Sequence, residues 1–371
     1  MGNIFLISPY HTGSHRAWAQ GYARHSQHQV HLLTMAGRFW KWRMQGGALE
    51  LAQQVKKAVS QFGSPDALLV TDMVNLPALI ALSRPWLDSV PIHFYAHENQ
   101  LTYPPRPGEK RDLTYGMINT LSMVAADAIH FNSAYHRTTF FDELPRLLKH
   151  FPDYNHLEII EQLQQKSDVL PVGLDLSFFD AFAPAEPTPG PLRILWNQRW
   201  EYDKNPSAFF DALQALAREE IPFQVIVAGE NFRQQPEEFE QAQQQLGDRL
   251  LHFGYAASRA DYARLLWQAD VVVSTALHEF FGISVLEAIY CHTYPLLPHR
   301  LSYPELIPQP LHAAHLYANQ TDLVDKLRWA ATHAAQIRAQ KLSYIAAAYR
   351  WEQLAPRYDA LLTALPGYSF Y

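Results

Sequence analysis

The sequence contains one cysteine, Cys291, and lacks several signatures that would assign a function directly. A single cysteine excludes an intrachain disulfide and is typical of a reducing compartment, so we expect a cytoplasmic protein. Neither an HExxH motif nor a CxxC pair occurs and the 18 histidines are scattered, so we expect no zinc site. No run of about 18 uncharged apolar residues is present, which predicts that no segment spans a membrane.

The chain also lacks an excess of positive charge. Its 30 lysines and arginines stand against 36 aspartates and glutamates, which gives a net charge of −6. A protein dedicated to nucleic acid is usually basic overall. The net charge therefore does not indicate a nucleic-acid partner, although it is compatible with a local basic patch.

Short apolar runs alternate with amphipathic stretches along both halves of the 371 residues. Continuous apolar runs are typical of parallel strands that helices cover on both faces, so the alternation predicts an α/β fold. The predicted helices include residues 47–61 and 114–126. The predicted strands lie at residues 4–9, 28–34, 66–72, 91–97 and 127–133 in the first half, and at 192–199, 223–230, 249–255, 270–275 and 293–298 in the second.

A proline-rich segment at residues 183–191, APAEPTPGP, separates the two halves. We therefore predict a Rossmann-like acceptor domain over 1–182 and a Rossmann-like nucleotide-sugar domain over 183–345. A helical tail over 346–371 is expected to return to the first domain. Two such domains facing a central cleft form the GT-B architecture, in which ligands bind beyond the carboxyl ends of the strands.

One strand–loop–helix unit in the second half is the most informative part of the chain. A buried strand leads into a loop that contains Glu279, and a helix beginning at about Gly282 or Ile283 contains Glu287. The backbone amides of Phe281, Gly282 and Ile283 would point out of the helix N-terminus and bind an anion. This arrangement suits a nucleotide-sugar, with the amides on the phosphates, Glu279 on sugar hydroxyls and Glu287 on the ribose. Two ordinary surface glutamates are the alternative.

Two cations follow the first strand of the second half. Arg199 and Lys204 lie in the loop RWEYDK and could together neutralise a diphosphate, unless the loop is merely solvated or Asp203 pairs with one of them. Glu230 and residues 253–255 end two further strands, where they are either neighbours of a nucleotide base or ordinary strand-end residues. Because no DxD pair occurs to hold a metal ion, fixed cations would have to stabilise a departing phosphate, and we expect activity without metal.

Polar residues also follow two predicted strands in the first half. Gly13 would let the backbone approach a ligand, and Ser14 would cap the next helix. His97, Asn99 and Gln100 follow another strand, and they form either a wall of the cleft or a set of structural residues.

A string of alternating cations and aromatic rings, RFWKWR, begins at Arg38. Arg38, Lys41 and Arg43 could contact phosphates while Trp40 or Trp42 stacks on a base. A loop anchored by aromatic packing explains the same string equally well.

These strings give the chain a resemblance to a known family. The second half resembles the family-four retaining glycosyltransferases through Arg199, Lys204 and the pair Glu279 and Glu287. From Ile4 to beyond Pro304 the chain resembles the tRNA-queuosine α-mannosyltransferases. The strings that carry this second resemblance are YHTGSH (10–15), WKWR (40–43), HENQLTYP (97–104), FNS (131–133), RWEYDK (199–204) and HEFFG (278–282).

The resemblance implies an enzyme that transfers mannose from GDP-mannose to the cyclopentene diol of queuosine in tRNA-Asp. Open alternatives are another sugar donor or a small or lipid acceptor, a non-transferring enzyme such as an epimerase or phosphorylase, and a catalytically silent tRNA-binding protein. The predicted site comprises catalytic His97, Arg199, Lys204 and Glu279; donor-binding Gly13, Glu230, Phe281, Gly282, Ile283 and Glu287; and acceptor-binding Arg38, Trp40, Lys41, Trp42, Arg43, Asn99 and Gln100.

Overall fold

The computed structural model describes residues 1–104, 111–185, 189–229 and 237–363, which divide into two compact units. The first unit contains residues 1–174 and the chain from Tyr349 onward, and the second contains residues 175–348. The divisions therefore fall at 174/175 and 348/349, whereas the sequence predicts them at 182/183 and 345/346.

The first unit is built on a six-stranded parallel sheet with the strand order β2-β1-β3-β4-β5-β6. Its strands are β1 (Asn3–His11), β2 (Gln29–Ala36), β3 (Ala67–Thr71), β4 (Ile92–Ala96), β5 (Ala128–Phe131) and β6 (Ser167–Val169). Its helices up to residue 174 are α1 (Gly13–His25), α2 (Trp40–Phe62), α3 (Leu76–Ser83), α4 (Leu113–Ala125), α5 (Ala134–Leu148) and α6 (Ile159–Gln165).

The second unit repeats this plan with the strand order β12-β11-β10-β7-β8-β9. Its strands are β7 (Leu192–Trp196), β8 (Phe223–Ala228), β9 (Leu250–Gly254), β10 (Val271–Val273), β11 (Tyr294–Pro298) and β12 (Leu316–Tyr317). Its helices are α7 (Pro206–Arg218), α8 (Glu237–Leu246), α9 (Arg259–Gln268), α10 (Ile283–Tyr290), α11 (Tyr303–Leu306), α12 (His312–His315), α13 (Gln320–Thr332), α14 (Ala334–Ala339) and α15 (Ser343–Ala347).

The last helix, α16 (Trp351–Thr363), packs in the first unit against α1. The buried carboxylate of Asp359 accepts hydrogen bonds from the hydroxyls of Tyr22 (2.8 Å) and Ser26 (2.6 Å) and from the amide of Gln27 (2.8 Å). The ring of Trp351 lies so close to Gly21 that a Cβ there would be 2.0 Å from its Nε1. Shape and hydrogen bonding thus fix the returning helix on the first sheet.

The ten predicted strands are confirmed, and the central strands of each sheet are fully buried, as in Ile4–Ile7 and Val271–Val273. In each sheet the strand order reverses once, between β1 and β3 and between β7 and β10. Ligands of such folds bind beyond the carboxyl ends of the strands at this reversal. The loops after β7 and β10 contain Arg199, Lys204 and Glu279, and Gly13 and His97 follow β1 and β4. No helix among the described residues is long and apolar enough to cross a membrane.

Candidate active site

The ammonium group of Lys204 is the centre of the polar cluster beyond β7 and β10. Its Nζ donates to the carbonyl of His278 (2.7 Å) and lies 3.1 Å from Asp203 Oδ2 and 3.5 Å from Glu279 Oε2. The Nζ donates hydrogen bonds to the His278 carbonyl and to Glu279, and its contact with Asp203 is an ion pair. The predicted pairing of Asp203 with a cation is therefore present, and the cation is Lys204.

Backbone hydrogen bonds join the two loops that carry this cluster. The amides of Leu277 and His278 both donate to the carbonyl of Asp203, at 2.8 and 3.3 Å, and the hydroxyl of Thr275 donates to that of Lys204 at 2.9 Å. Asn205 adopts a left-handed conformation (φ 49°) and directly precedes α7, which begins with Pro206. The positions of Lys204 and Glu279 are thus set by main-chain contacts.

Electrostatic interactions keep both Lys204 and Glu279 ionised. Burial alone would lower the pKa of Lys204, but the neighbouring carboxylates of Glu279 and Asp203 raise it. Burial would likewise raise the pKa of Glu279, but Lys204 and the amide of Phe281 lower it. His278 is in the opposite situation, because burial and the charge of Lys204 lower its pKa to about 4 and hold it neutral. The pair therefore stays ionised at neutral pH.

The loop before α10 differs from the sequence prediction in one detail. The amide of Phe281 donates to Glu279 Oε1 at 3.3 Å, so Glu279 holds both this amide and Lys204. The helix begins at Ile283, and Gly282 precedes it with φ 105°. A Cβ at Gly282 would lie 3.1 Å from Leu306 Cδ1, so both the backbone angle and the space favour glycine there.

Arg199 lies near this cluster but is much more exposed. Its NH1 is 3.5 Å from Glu201 Oε1, and 52 % of its side chain is accessible. It is close enough to be among the charges that lower the pKa of both Lys204 and Glu279. Its exposed head group contrasts with the buried ammonium of Lys204.

Glu287 lies inside α10 and is held by a second set of polar residues. The hydroxyl of Tyr262 on α9 donates to Glu287 Oε2 at 3.1 Å. The Nδ2 of Asn197, directly after β7, donates both to the Tyr262 oxygen (3.0 Å) and to the carbonyl of Ser284 (2.7 Å). Desolvation raises the pKa of Glu287 to about 7, against the opposing effects of Tyr262 and Arg259.

The remaining predicted donor residues have mixed environments. Glu230 lies outside the described residues, so its role stays a prediction. Phe253 packs against Trp200 with the ring centroids 5.0 Å apart, whereas Tyr255 is exposed. Gly229 has φ 154°, and a Cβ there would lie 2.1 Å from the carbonyl oxygen of Gln198, so only glycine allows this close approach of β8 to the loop after β7.

In the first unit, His97 lies in an aromatic cluster at the end of β4. Its ring is 4.3 Å from that of His15, 4.7 Å from Trp18 and 4.8 Å from Tyr95. Burial, together with His15 and His136, holds the pKa of His97 well below its usual value, so the ring is neutral. Its Nε2 is buried and hydrogen-bonds to no described residue. A neutral ring with one uncommitted nitrogen can still contact a ligand.

Other predicted residues of the first unit make contacts that the sequence did not show. Asn99 is fully buried, and its Oδ1 accepts from the amides of Leu101 (3.1 Å) and Thr102 (3.0 Å). Its side chain thus holds the loop, although its acceptor-binding role is untested, as is that of half-buried Gln100. Gly13 has φ 49° and begins α1, and a Cβ there would meet no described atom within 4 Å. Ser14 therefore lies inside the helix, and the prediction that it caps α1 is wrong.

The string RFWKWR is not a loop, because α2 begins at Trp40. Trp40 packs at 4.9 Å on the ring of Tyr115, and Lys41 Nζ lies 5.6 Å from both rings. Trp42 is 60 % exposed, and Arg38 is exposed in the preceding loop. Arg43 donates to the carbonyl of Ala36 at 3.3 Å. The two tryptophans thus separate into a packing residue and a surface residue.

Sequence reasoning missed Asn197 and Tyr262 around Glu287 and His15 and Trp18 around His97. Asn197 directly follows β7, and His15 ends the string YHTGSH just after β1, so proximity to a strand end was a usable signal for both. Tyr262 carries no such signal, since it lies inside a helix 25 residues from Glu287. Among the described residues, no group of three His, Cys, Asp or Glu side chains is arranged to hold a metal ion.

Comparison with known proteins agrees with this geometry. Residues 3–174 match the family described as tRNA-queuosine alpha-mannosyltransferase N-terminal, and residues 180–349 match Glycosyl transferases group 1. The chain is 34 % identical over 333 residues to the tRNA-queuosine alpha-mannosyltransferase of Drosophila melanogaster, which covers 88 % of this chain and 86 % of the relative. The chain belongs to the tRNA-queuosine α-mannosyltransferase family. It is a glycosyltransferase.

Solved structures of low sequence identity establish the fold. Sucrose-phosphate synthase from Thermosynechococcus elongatus matches with a TM-score of 0.72 at 14 % identity, over 97 % of this chain and 98 % of that one. The Anabaena protein HepE in complex with UDP and glucose matches with a TM-score of 0.66 at 15 % identity, over 98 % of this chain and all of that one (100 %). This family member therefore has the GT-B fold, with two Rossmann-like units.

Proposed function

We propose that this protein transfers mannose from GDP-mannose, with retention of configuration, to the queuosine nucleoside in the anticodon of tRNA-Asp. The observation that carries the proposal is the similarity to the Drosophila mannosyltransferase over 88 % of the chain, combined with an intact set of Lys204, Glu279 and Glu287. We place the activity in the cytoplasm, because the one cysteine is a buried free thiol.

Fixed positive groups supply the charge stabilisation in the proposed reaction. The bond between the sugar C1 and the phosphate oxygen breaks, and the diphosphate leaves with the electron pair. Lys204 and Arg199, with the amides at the start of α10, stabilise the negative charge that develops there. The acceptor hydroxyl bonds to C1 on the same face, and its proton passes to the departing phosphate oxygen. No metal ion is needed in this scheme.

Glu279 links donor binding to the exposure of these positive groups. Its carboxylate holds Lys204 by the longest of the lysine's three contacts, 3.5 Å, and holds the Phe281 amide at 3.3 Å. When hydroxyls of the donor sugar replace these partners, one N–H of Lys204 and the Phe281 amide become available to the diphosphate. The same carboxylate thereby selects the sugar and uncovers the anion site.

The direct test is mass spectrometry of nucleosides from queuosine-containing tRNA-Asp incubated with the enzyme and GDP-mannose. We expect the queuosine nucleoside to gain one hexose with GDP-mannose and not with UDP- or ADP-sugars. A product formed only from another donor would contradict the GDP-mannose assignment. Intact tRNA binding without any product would identify a silent binding protein.

A thermal-shift panel of GDP, UDP and ADP tests the donor base separately. A nucleotide present at about 100 times its Kd stabilises the folded state by about 2.7 kcal/mol. We expect that stabilisation with GDP alone, and an equal response to UDP would contradict the proposed donor.

A further inference from the structure

The hydrogen bonds around Glu287 have a single consistent direction. A carbonyl oxygen can only accept, so the contact at 2.7 Å to Ser284 requires that Asn197 turns its NH2 group toward α10. The second N–H of that group then points to the oxygen of Tyr262 at 3.0 Å. Because this oxygen accepts from Asn197, the single phenolic hydrogen is left to donate to Glu287 Oε2 at 3.1 Å.

The anchor of this chain of hydrogen bonds is rigid. Asn197 is 5 % exposed and directly follows the central strand β7, and its amide ties that strand to the first turn of α10. Tyr262 comes from a third element, α9. Three elements of the second unit therefore meet at one carboxylate, and that arrangement restrains the rotation of the Glu287 side chain.

We propose that Tyr262, oriented by Asn197, is a positioning residue that holds the Glu287 carboxylate in place for the ribose of the donor. The inference rests on the proposed role of Glu287 in donor binding. Tyr262 gives its hydrogen to Oε2, which stabilises the ionised carboxylate, the form that accepts hydrogen bonds from ribose hydroxyls.

Groups on the neighbouring elements affect the pKa of Glu287. Desolvation raises its pKa to about 7, the hydrogen bond from Tyr262 and the charge of Arg259 on α9 lower it, and Asp175 raises it. The buried thiol of Cys291 at the end of α10 has a raised pKa and stays uncharged. Donor affinity therefore falls as the pH drops through about 7, because protonated Glu287 accepts poorly. Removal of the Tyr262 hydroxyl moves the midpoint of this fall to higher pH.

The experiment measures the affinity of the intact protein for GDP-mannose between pH 6 and pH 9, in the wild type and in Tyr262→Phe. Each phosphate of this probe is esterified and does not titrate in the range. If loss of the hydrogen bond moves the midpoint upward by about one pH unit, affinity falls about fivefold at pH 7 and about ninefold at pH 6, and is nearly unchanged at pH 9.

Two further variants make the result decisive. Tyr294→Phe removes another buried tyrosine hydroxyl of the second unit, which donates to the carbonyl of Ala314 at 3.2 Å, and should bind like the wild type. Glu287→Gln should remove the pH dependence altogether. The proposal would be overturned if Tyr262→Phe lost the same factor in GDP-mannose affinity at all pH values, or lost no affinity at all. Failure of the wild type to bind GDP-mannose would instead contradict the proposed donor.

Discussion

We expect removal of Lys204 to perturb both folding and catalysis, and a matched variant separates the two effects. The ammonium lies 3.1 Å from Asp203 and 3.5 Å from Glu279, and its side chain is only 8 % exposed. Lys204→Ala leaves the buried carboxylate of Asp203 and the half-buried carboxylate of Glu279 without their cation. Breaking a buried ion pair in this way costs about 3–5 kcal/mol. For a unit of this size each kcal/mol lowers the Tm by about 2–4 °C, so we expect a fall of about 6–20 °C.

Arg199→Ala is the matched variant, because Arg199 belongs to the same loop but is half exposed. Its Tm should stay close to that of the wild type. A charge-assisted contact to the diphosphate is worth about 1.5–3 kcal/mol, so kcat/KM should fall about ten- to a hundredfold. Differential scanning calorimetry and steady-state kinetics on the two variants measure both quantities.

A compensating substitution checks the reasoning about buried charge. Asp203→Asn combined with Lys204→Ala removes one of the orphaned carboxylates and should recover part of the lost Tm without recovering activity. The argument is refuted if Lys204→Ala melts with the wild type, or if it is unstable and yet keeps wild-type kcat/KM after correction for folded protein.

Three further outcomes are expected. Activity should survive prior metal removal and assay in excess EDTA, and a complete loss that Mg²⁺ or Mn²⁺ restores would contradict the fixed-cation mechanism. Trp42→Ala should weaken tRNA binding by about five- to a hundredfold, the range for loss of one base stack, without changing the Tm. Trp40→Ala should instead lower the Tm. The reverse pattern would assign the packing role to Trp42. Asp359→Ala leaves the donors Tyr22, Ser26 and Gln27 without their acceptor. It should therefore lower the free energy of unfolding of the first unit by about 2–5 kcal/mol in urea unfolding. GDP binding to the second unit should be unchanged.

Local patterns predicted the long elements well and the short ones poorly. Every apolar run that was predicted as a strand became one, but β6 and β12, of three and two residues, lie in no such run and were not predicted. The start of α2 was predicted seven residues late, at 47 instead of 40, because the preceding string RFWKWR was interpreted as a possible loop. In the fold, the indole of Trp42 would lie 3.1 Å from a Cβ at Gly46, and Met35 Sδ 3.5 Å from one at Gly47. These glycines are therefore places where side chains pack closely on the helix.

The candidate site was likewise predictable only where the signal is local in the sequence. Spacing within a loop, or across a loop and the following helix, was enough to select Lys204, Glu279 and Glu287 as candidates. It could not show that Glu279 holds both Lys204 and the Phe281 amide, because that contact depends on how two loops meet across the sheet reversal. Tyr262 could not be predicted from the sequence for the same reason, because only the packing of α9 on α10 brings its hydroxyl to Glu287.

The two family matches divide the chain almost where its compact units divide. The general glycosyltransferase match covers residues 180–349 and contains the complete Lys204, Glu279 and Glu287 set, while the queuosine-specific match covers residues 3–174. Breaking a sugar–phosphate bond makes the same electrostatic demands whatever the acceptor, so one cluster of fixed charges can serve many enzymes. Recognition of a single nucleoside in a folded RNA makes a different demand, namely exposed rings and cations in a particular arrangement. The exposed Trp42 on α2, with Arg38 and Lys41 near it in the sequence, lies in the unit that carries the queuosine-specific match.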